Sequence, residues 1–242
     1  MLEVDYKKNC TGCSACANIC PRGCIRMTAD CEGFLYPEVN EEQCMDCGLC
    51  ENVCPMLHKP KQHELVAVYG AKNRDDAVRF TSSSGGMFTL LAEEVLRQGG
   101  VVAGAALDEK LAVRHVLVDN AADLSKLRGS KYVQSEIGTI YRDVRQQLLA
   151  GKKVLFSGTP CQIAGLKGYL VKPFANLLTV DVVCHGVPSP RVYRKHLAEL
   201  GEDAGEPVVQ VRFRDKAKGW KSGETLFLTE HQRFGASKRQ ET

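Results

Sequence analysis

The sequence predicts an α+β or mixed α/β chain, in which a small cysteine-rich domain precedes a larger sheet covered by helices. Ten of the twelve cysteines lie in the first 54 residues, and eight of these ten occur at regular spacings. The segment "MLHKPKQHE", residues 56–64, contains a proline and several charges and is typical of a linker. Beyond it, strand and helix patterns alternate, which predicts a mixed or parallel sheet. We therefore expect two domains, residues 1–60 and 61–242.

The composition fits a globular protein. Hydrophobic residues make up 44% of the 242, but no run of about eighteen apolar residues exists and the N-terminus has no apolar signal region. We expect a cytoplasmic protein with no transmembrane segment, whose cysteines are metal ligands or redox centres rather than disulfides. Residues 1–60 carry five Lys or Arg against nine Asp or Glu, a net charge of −4, which leaves +7 for the remainder. Basic residues do not interleave with aromatic ones in a stripe, so no nucleic-acid partner is expected.

The first domain contains a repeated cysteine pattern. "CTGCSACANICP" (10–21) and "CMDCGLCENVCP" (44–55) both obey C-x2-C-x2-C-x3-C-P, the run of bacterial two-cluster ferredoxins, in which each fourth cysteine ligates the other cluster. The ligands of the first 4Fe-4S cluster are then Cys10, Cys13, Cys16 and Cys54. Those of the second are Cys20, Cys44, Cys47 and Cys50. A zinc ribbon is the alternative, but it needs only four ligands in paired C-x2-C knuckles. Cys24 and Cys31, between the runs, match no ligand spacing and are predicted to be buried structural cysteines.

The elements of the larger domain follow from periodicity. The predicted strands are "LVAVYGAK" (65–72), "VVAGAAL" (101–107), "VRHVLV" (113–118), "KVLFSG" (153–158) and "NLLTVDVVC" (176–184). The predicted helices are "SGGMFTLLAEEVLRQGG" (84–100), with Met87, Leu90, Leu91 and Val95 on its apolar face, then 137–149, 160–170 and 190–200. The sheet should therefore be covered by helices.

A lone cysteine, Cys161, stands just after the strand that ends in "FSG". Thr159 is the predicted N-cap of the next helix, Pro160 its first residue, and Gln162 completes a capping box. In sheets of this kind ligands gather at the carboxyl ends of the strands, and a helix N-terminus favours a thiolate. The position therefore suits a metal ligand or nucleophile, with a small buried hydrophobic residue as the alternative.

Cys184 repeats this arrangement. It is the last residue of the next predicted strand and is followed by "HGVPSP", in which Ser189 caps a helix that begins at Pro190. Both cysteines are expected at the same edge of the sheet. His185 beside Cys184 is a conceivable proton donor, although a structural histidine is the alternative.

The stretch "TSSSGGMF", residues 81–88, is a second candidate site. Serines and glycines before a helix offer amide and hydroxyl donors to a phosphate or pyrophosphate, although ordinary helix capping explains the same residues. In "LRGSKYVQS" (127–135), Arg128 and Lys131 could meet the same anion or belong to a solvated loop. The sequence contains no G-x-G-x-x-G and no P-loop motif, which disfavours a standard dinucleotide fold.

Taken together, these motifs resemble the coenzyme F420 hydrogenase/dehydrogenase beta-subunit family. The ferredoxin pair, "SSGGMFTLLAEEVL", "LRGSKYVQS", "FSGTPCQIAGL", "VDVVCHGVPSP" and "VRFRDKAKGWK" carry the resemblance over nearly all of residues 5–221. It implies an iron-sulfur flavoprotein oxidoreductase with FAD and two 4Fe-4S clusters. The implied flavin-contacting residues are Ser82, Ser83, Gly85, Gly86, Lys131, Gly158, Thr159, Pro160 and Gln162. Cys161 and Cys184 would be ligands of a third 4Fe-4S cluster in a full-length form, since family chains continue beyond the GWK segment and this one is expected to be truncated at its C-terminus.

Two functions are compatible with these observations. The first is an FAD-dependent enzyme that exchanges two electrons with a small organic donor or acceptor, coenzyme F420 or another carrier, and single electrons with its clusters. The second is a non-catalytic subunit that relays electrons to a redox partner protein, a ferredoxin or another oxidoreductase subunit. A tightly bound flavin would favour the enzyme.

Overall fold

A computed structural model describes residues 7–60, 65–220 and 223–236. The cysteine-rich segment forms a two-stranded antiparallel hairpin, β1 (Ile25–Ala29) and β2 (Leu35–Val39), flanked by the short helices α1 (Ala15–Ile19) and α2 (Leu49–Asn52). So short a segment buries little apolar surface, and its small core consists largely of cysteines around Ile25. Metal ligation would therefore supply much of its stability.

The body is built on a four-stranded mixed sheet. Its strands are β3 (Val101–Leu107), β4 (Val113–Val118), β5 (Val154–Gly158) and β6 (Leu177–Asp181), in the order β4-β3-β5-β6. β4 runs antiparallel to β3, whereas β5 and β6 run parallel to it. The carboxyl ends of β3, β5 and β6 therefore share one edge, as the sequence predicted for a helix-covered mixed sheet.

Helices cover both faces of this sheet. The first helix of the body, α3 (Asp76–Phe80), buries none of its residues. The covering helices are α4 (Met87–Arg97), α5 (Leu124–Leu127), α6 (Ile140–Leu149) and α7 (Pro160–Leu170). Val154 and Phe156 of β5 point into the core shared with α6 and α7, while Leu155 points into the core shared with α4 and α5. Because successive strand residues face opposite sides, apolar residues are needed at every position of a strand covered on both faces.

The C-terminal part forms a second layer. After α8 (Pro190–Ala204), strands β7 (Gln210–Asp215), β8 (Glu224–Leu228) and β9 (Arg233–Ala236) make an antiparallel sheet in the order β7-β8-β9. Val211 and Phe227 pack with Leu111 of the β3–β4 turn, which attaches this sheet to the body.

The cysteine-rich segment packs directly on the body. Ala15 and Val53 are buried in the same core as α6 and α7. The Arg142 side chain of α6 donates to the carbonyl of Asn18 at 2.9 Å and to that of Ala17 at 3.0 Å, which satisfies the end of α1. Asn18 in turn donates to the carbonyl of Gly138 at 2.8 Å. The boundary at residue 60 stays a prediction.

Several element predictions were wrong. No strand forms over the described part of 65–72, where Val66 is 97% and Tyr69 86% exposed and no described strand lies alongside to pair with them. Leu90 is exposed because α4 turns Thr89, Ala92 and Val95 inward instead. The helix predicted over 137–149 begins at residue 140, and the strand predicted to end at residue 184 stops at residue 181.

Across the described ranges, helices are too short or too polar to span a bilayer.

Candidate functional site: two thiolate nests and a strand-end site

The two cysteine runs fold into loops with the same backbone geometry. Two and four residues after the first cysteine, each loop has a left-handed residue: Gly12 (φ 65°) and Ser14 (φ 61°) in one, Asp46 (φ 48°) and Gly48 (φ 69°) in the other. The amides of Gly12 and Asp46 donate, at 3.4 Å in each case, to the sulfur of the cysteine two residues earlier. Left-handed Ser and Asp are strained, and such strain persists at functional sites. The repeat therefore builds two matching concave nests of amides around sulfur.

The first nest brings together Cys10, Cys13, Cys16 and Cys54. Burial is the main cause that raises the pKa of Cys13 to about 11 and that of Cys16 to about 12, and the charges of Cys10 and Cys54 contribute to both increases. Four thiolates this close repel one another unless a cation lies among them. A cationic cluster core would remove the repulsion and hold all four deprotonated.

The second nest is lined by five thiols rather than four. Cys20, Cys44, Cys47 and Cys50, the predicted ligands, share one cavity with Cys24. Cys24 is buried, as predicted, and its sulfur lies 3.3 Å from that of Cys20. This hydrogen bond is the main cause that raises the pKa of Cys24, to about 11.

Cys31 is exposed, so its predicted burial was wrong. It lies in the turn between β1 and β2, where its carbonyl accepts a hydrogen bond from Arg191 at 2.9 Å. The backbone at this position fastens the hairpin to α8, and the thiol has no role in that contact.

The donor sets fit 4Fe-4S clusters. Soft thiolates converge on each nest, and thiolates are the ligands that iron-sulfur clusters require. Within the described ranges, the buried hydroxyl of Thr11, next to Cys10, has no hydrogen-bond partner. A buried donor without a partner is costly, and a cluster sulfide beside Cys10 would satisfy it.

A group of polar side chains lies at the carboxyl end of β5, and we call it the strand-end site. Thr159 caps α7, Pro160 is the first helical residue, and the Thr159 amide donates to the side-chain oxygen of Gln162 at 3.0 Å, as the predicted capping box requires. The side-chain amide of Gln162 then donates to the carbonyl of Ser135 at 3.3 Å. Gln162 thereby ties the residues after Gly158 to the 131–135 loop.

A buried histidine, His115 of β4, completes the strand-end site, and the sequence analysis did not predict its role there. Its Nε2 lies 3.0 Å from the carbonyl of Ser157 and its Nδ1 2.7 Å from the hydroxyl of Ser135, and the ring stacks on Phe156. Because a carbonyl only accepts, Nε2 carries the hydrogen and Nδ1 accepts from Ser135. Burial lowers the pKa of His115 to about 4, so the ring is neutral at pH 7. The only signal in the sequence was the position of His115 in "VRHVLV", on the same strand face as Val113 and Leu117.

The serine-glycine loop lies against the 127–131 loop. The Ser83 hydroxyl accepts from the Ser130 amide at 2.7 Å, whereas the Ser82 hydroxyl is used locally, donating to the Val78 carbonyl at 2.7 Å. The ammonium of Lys216, itself buried, donates to the carbonyls of Arg79, at 3.1 Å, and Ser82. Lys216 thus fixes the turn that leads into this loop.

The glycines of this loop are required by the chain itself. A Cβ on Gly85 would lie 2.6 Å from the carbonyl oxygen of Ala71. Gly86, with φ 80°, caps α4, and a Cβ there would lie 3.1 Å from that of Asn73. Their absence of a side chain is therefore explained by packing, whether or not an anion binds nearby.

Lys131 is a cation with few solvating groups. Its ammonium donates to the carbonyls of Lys126 at 2.9 Å and Arg128 at 3.1 Å. Burial lowers the pKa of Lys131 to about 8, and the ammonium is close enough to His115 to help keep that ring neutral. An anion bound beside Lys131 would restore the favourable environment for its charge.

Cys161 and Cys184 occupy equivalent places at the sheet edge. Gly158 of β5 pairs with Asp181 of β6, and each cysteine follows its strand end by three residues. The sulfur of Cys161 lies 3.1 Å from the Thr159 hydroxyl, whereas that of Cys184 is exposed and accepts from its own loop. His185 beside Cys184 is also exposed.

Cys161 also approaches the first nest. Its charge raises the pKa of Cys13, which shows that the two thiols are neighbours. One helical turn further along α7, a Cβ on Gly165 would lie 3.0 Å from the sulfur of Cys13. The N-terminal half of α7 therefore lies between the strand-end site and the first nest.

Comparison with known proteins identifies three matching regions. Residues 9–57 match the model of a 4Fe-4S dicluster domain. Residues 68–141 match that of the coenzyme F420 hydrogenase/dehydrogenase beta subunit N-terminus, and residues 151–238 that of the same subunit's C-terminus. None of the curated proteins matches the sequence.

Among solved structures, the chain is similar to a chain of the F420-reducing NiFe hydrogenase complex from Methanosarcina barkeri, studied by xenon derivatization. The two are 20% identical, with a TM-score of 0.45. The match covers 69% of the present chain and 58% of the other, so the present chain spans less than two thirds of that protein's length.

Proposed function

Because the chain belongs to the coenzyme F420 hydrogenase/dehydrogenase beta-subunit family, we propose that it is an FAD-dependent iron-sulfur oxidoreductase with two 4Fe-4S clusters. FAD would exchange two electrons with an organic substrate, proposed to be coenzyme F420, and single electrons with the clusters. The eight ligands would be the two cysteine sets of the nests.

One observation carries this proposal: α7 joins the two sites. Gln162 contacts the 131–135 loop, and Gly165, about one turn further along the same side of the helix, faces Cys13. Three helical residues correspond to a rise of about 4.5 Å. A flavin beside Gln162 and a cluster bound to Cys13 would therefore be near neighbours, which suits direct electron transfer.

This chain's own residues have distinct roles in the proposed flavin site. Ser83, paired with the Ser130 amide, and Lys131 would orient and neutralise the diphosphate. Gln162 holds the strand end in place. His115 is neutral and fully hydrogen-bonded, so it would position the Ser135 hydroxyl and the Ser157 carbonyl rather than transfer a proton.

The test is the cofactor content of protein purified without oxygen. We expect about eight irons, the sum of two four-iron clusters, an equal amount of sulfide, and bound FAD. Lys131→Met should weaken FAD binding while keeping the iron, whereas Lys126→Met, which changes an exposed lysine of the neighbouring helix α5, should change neither. Zinc without sulfide would contradict the clusters. Flavin-free protein would contradict the enzyme, and FAD affinity unchanged in Lys131→Met would contradict the proposed site.

A relay function is the second candidate, favoured by a basic cleft beside the second nest. Cys20 and Pro21 line this cleft together with the side chains of Arg142, Arg145 and Lys172. Such a surface would attract an acidic redox protein, for example a ferredoxin, close to the second cluster. Cluster-to-ferredoxin electron transfer that slows with rising salt, and slows similarly in Arg145→Glu at low salt, would support the relay. Rates insensitive to both would oppose it.

A further inference from the structure

Cys24 belongs to neither cysteine run but lies among the predicted ligands of the second cluster. It is 6% exposed, lines the same cavity as Cys44, Cys47 and Cys50, and its sulfur is 3.3 Å from that of Cys20. Cys24 therefore packs in the small core around Ile25 and at the same time brings its thiol against a predicted ligand of the second cluster.

The backbone holds Cys20 and Cys24 differently. Cys24 directly precedes β1, and its carbonyl accepts a hydrogen bond from the Asn40 amide at 2.8 Å, so the hairpin fixes it. Cys20 lies just beyond α1 and starts the exposed turn 21–23, which is closed by a Gly23 amide bond to its carbonyl at 3.3 Å. The backbone of Cys24 is therefore fixed by the hairpin, whereas that of Cys20 belongs to an exposed turn.

We propose that Cys24 is a reserve ligand of the second cluster and can replace Cys20 on the same iron. This rests on the proposed two-cluster function. In the exchange, the bond between iron and the Cys20 sulfur would break and a bond between iron and the Cys24 sulfur would form. The proton of Cys24 would pass to the released Cys20 thiolate, or to water in a variant that lacks Cys20. No electron is transferred, and the number of thiolate ligands stays at four.

The repeat supplies an internal control. Cys54 occupies in the second run the place that Cys20 occupies in the first, but the residue four positions further on is His58, which is exposed. The first nest therefore has no counterpart of Cys24 at that position. Loss of Cys54 should cost its cluster, whereas loss of Cys20 should be tolerated.

The test compares wild type, Cys20→Ala, Cys24→Ala, the Cys20→Ala/Cys24→Ala double variant and Cys54→Ala, all full chains reconstituted without oxygen. Iron and sulfide per chain and the electron paramagnetic resonance of the reduced clusters are measured. We expect about eight irons in the wild type and in both single variants at Cys20 and Cys24, and about four in the double variant and in Cys54→Ala. The signal of the second cluster should shift in Cys20→Ala, because its ligand differs.

Each outcome either supports or refutes the role of Cys24 as a reserve ligand. If Cys20→Ala loses as much iron as the double variant, or fails to fold while Cys24→Ala folds, the reserve ligand is refuted and the two-cluster function stands. If the double variant keeps eight irons, Cys24 is not the replacement. A wild-type chain that binds no iron-sulfur cluster overturns the proposed function, and this inference with it.

Discussion

Replacing Gly168 with alanine should destabilise the protein, even though alanine is the better helix former. Gly168 lies in α7, and a Cβ there would be 2.4 Å from the carbonyl oxygen of Val53. That oxygen is a backbone atom directly before the predicted ligand Cys54, and the Val53 side chain is buried in the core that α7 shares. The clash can therefore be relieved only if the helix and the cysteine-rich segment move apart.

Two opposing effects determine the magnitude. In an unhindered helix, Gly→Ala adds about 1 kcal/mol of stability. Here the new contact is roughly 1 Å shorter than an ordinary van der Waals separation. Overpacking costs about 1–3 kcal/mol, and the upper end applies because backbone must shift. The expected net loss is about 2 kcal/mol.

Thermal unfolding without oxygen, followed by circular dichroism, measures this loss. Since 1 kcal/mol corresponds to about 2–4 °C for a chain of this size, Gly168→Ala should melt about 4–8 °C below wild type. Lys167→Ala is the matched control, because Lys167 is exposed on the same helix and should change stability by less than about 0.5 kcal/mol. A Gly168→Ala protein that melts at or above the wild-type temperature would refute the packing of α7 on Val53.

Three other predictions concern the strand-end site. The pKa of His115 in the folded chain is about 4, against an ordinary 6.5, so between pH 7 and pH 5 the unfolded chain takes up a proton that the folded chain does not. Wild type should therefore lose about 2 kcal/mol of stability over this range, and His115→Gln should lose less. Equal drops in melting temperature for the two proteins would refute this. Gly86→Ala forces a side chain into a left-handed position at a cost of about 1–2 kcal/mol and should speed FAD release; an unchanged release rate would contradict a cradle there. In this chain Cys161→Ser and Cys184→Ser should change the iron content little, since two thiols do not complete a four-ligand set. In a full-length relative each substitution should remove about four irons. A loss of four irons from the present chain would show that a third cluster is already bound.

Local chemistry made part of the site predictable. The start of α7 followed from Thr159, Pro160 and Gln162, because a capping box and an N-terminal proline act within four residues. The cysteine spacing likewise predicted the two groups of thiols that the fold brings together, since a loop that wraps a cluster must return ligands at short, fixed intervals. The mixed sheet followed from the apolar strands and the helices between them.

Contacts distant in sequence were beyond such patterns. The segment "LVAVYG" has strand composition, but a strand needs a partner, and its described residues have none alongside. A contact close in sequence was missed as well: Cys24 was predicted to be structural because its spacing matches no ligand motif, but the turn after α1 brings its sulfur against that of Cys20, four residues away.

The sequence by itself therefore determined the kind of chemistry, thiolate ligation and a strand-end ligand site, because ligand type and helix capping depend on residues close together in the chain. Only the tertiary structure decided which groups meet: His115 with Ser135 and Ser157, and Gly168 with Val53. These pairs are 20 or more residues apart, and their proximity depends on how β4, β5 and α7 pack, which no local pattern encodes.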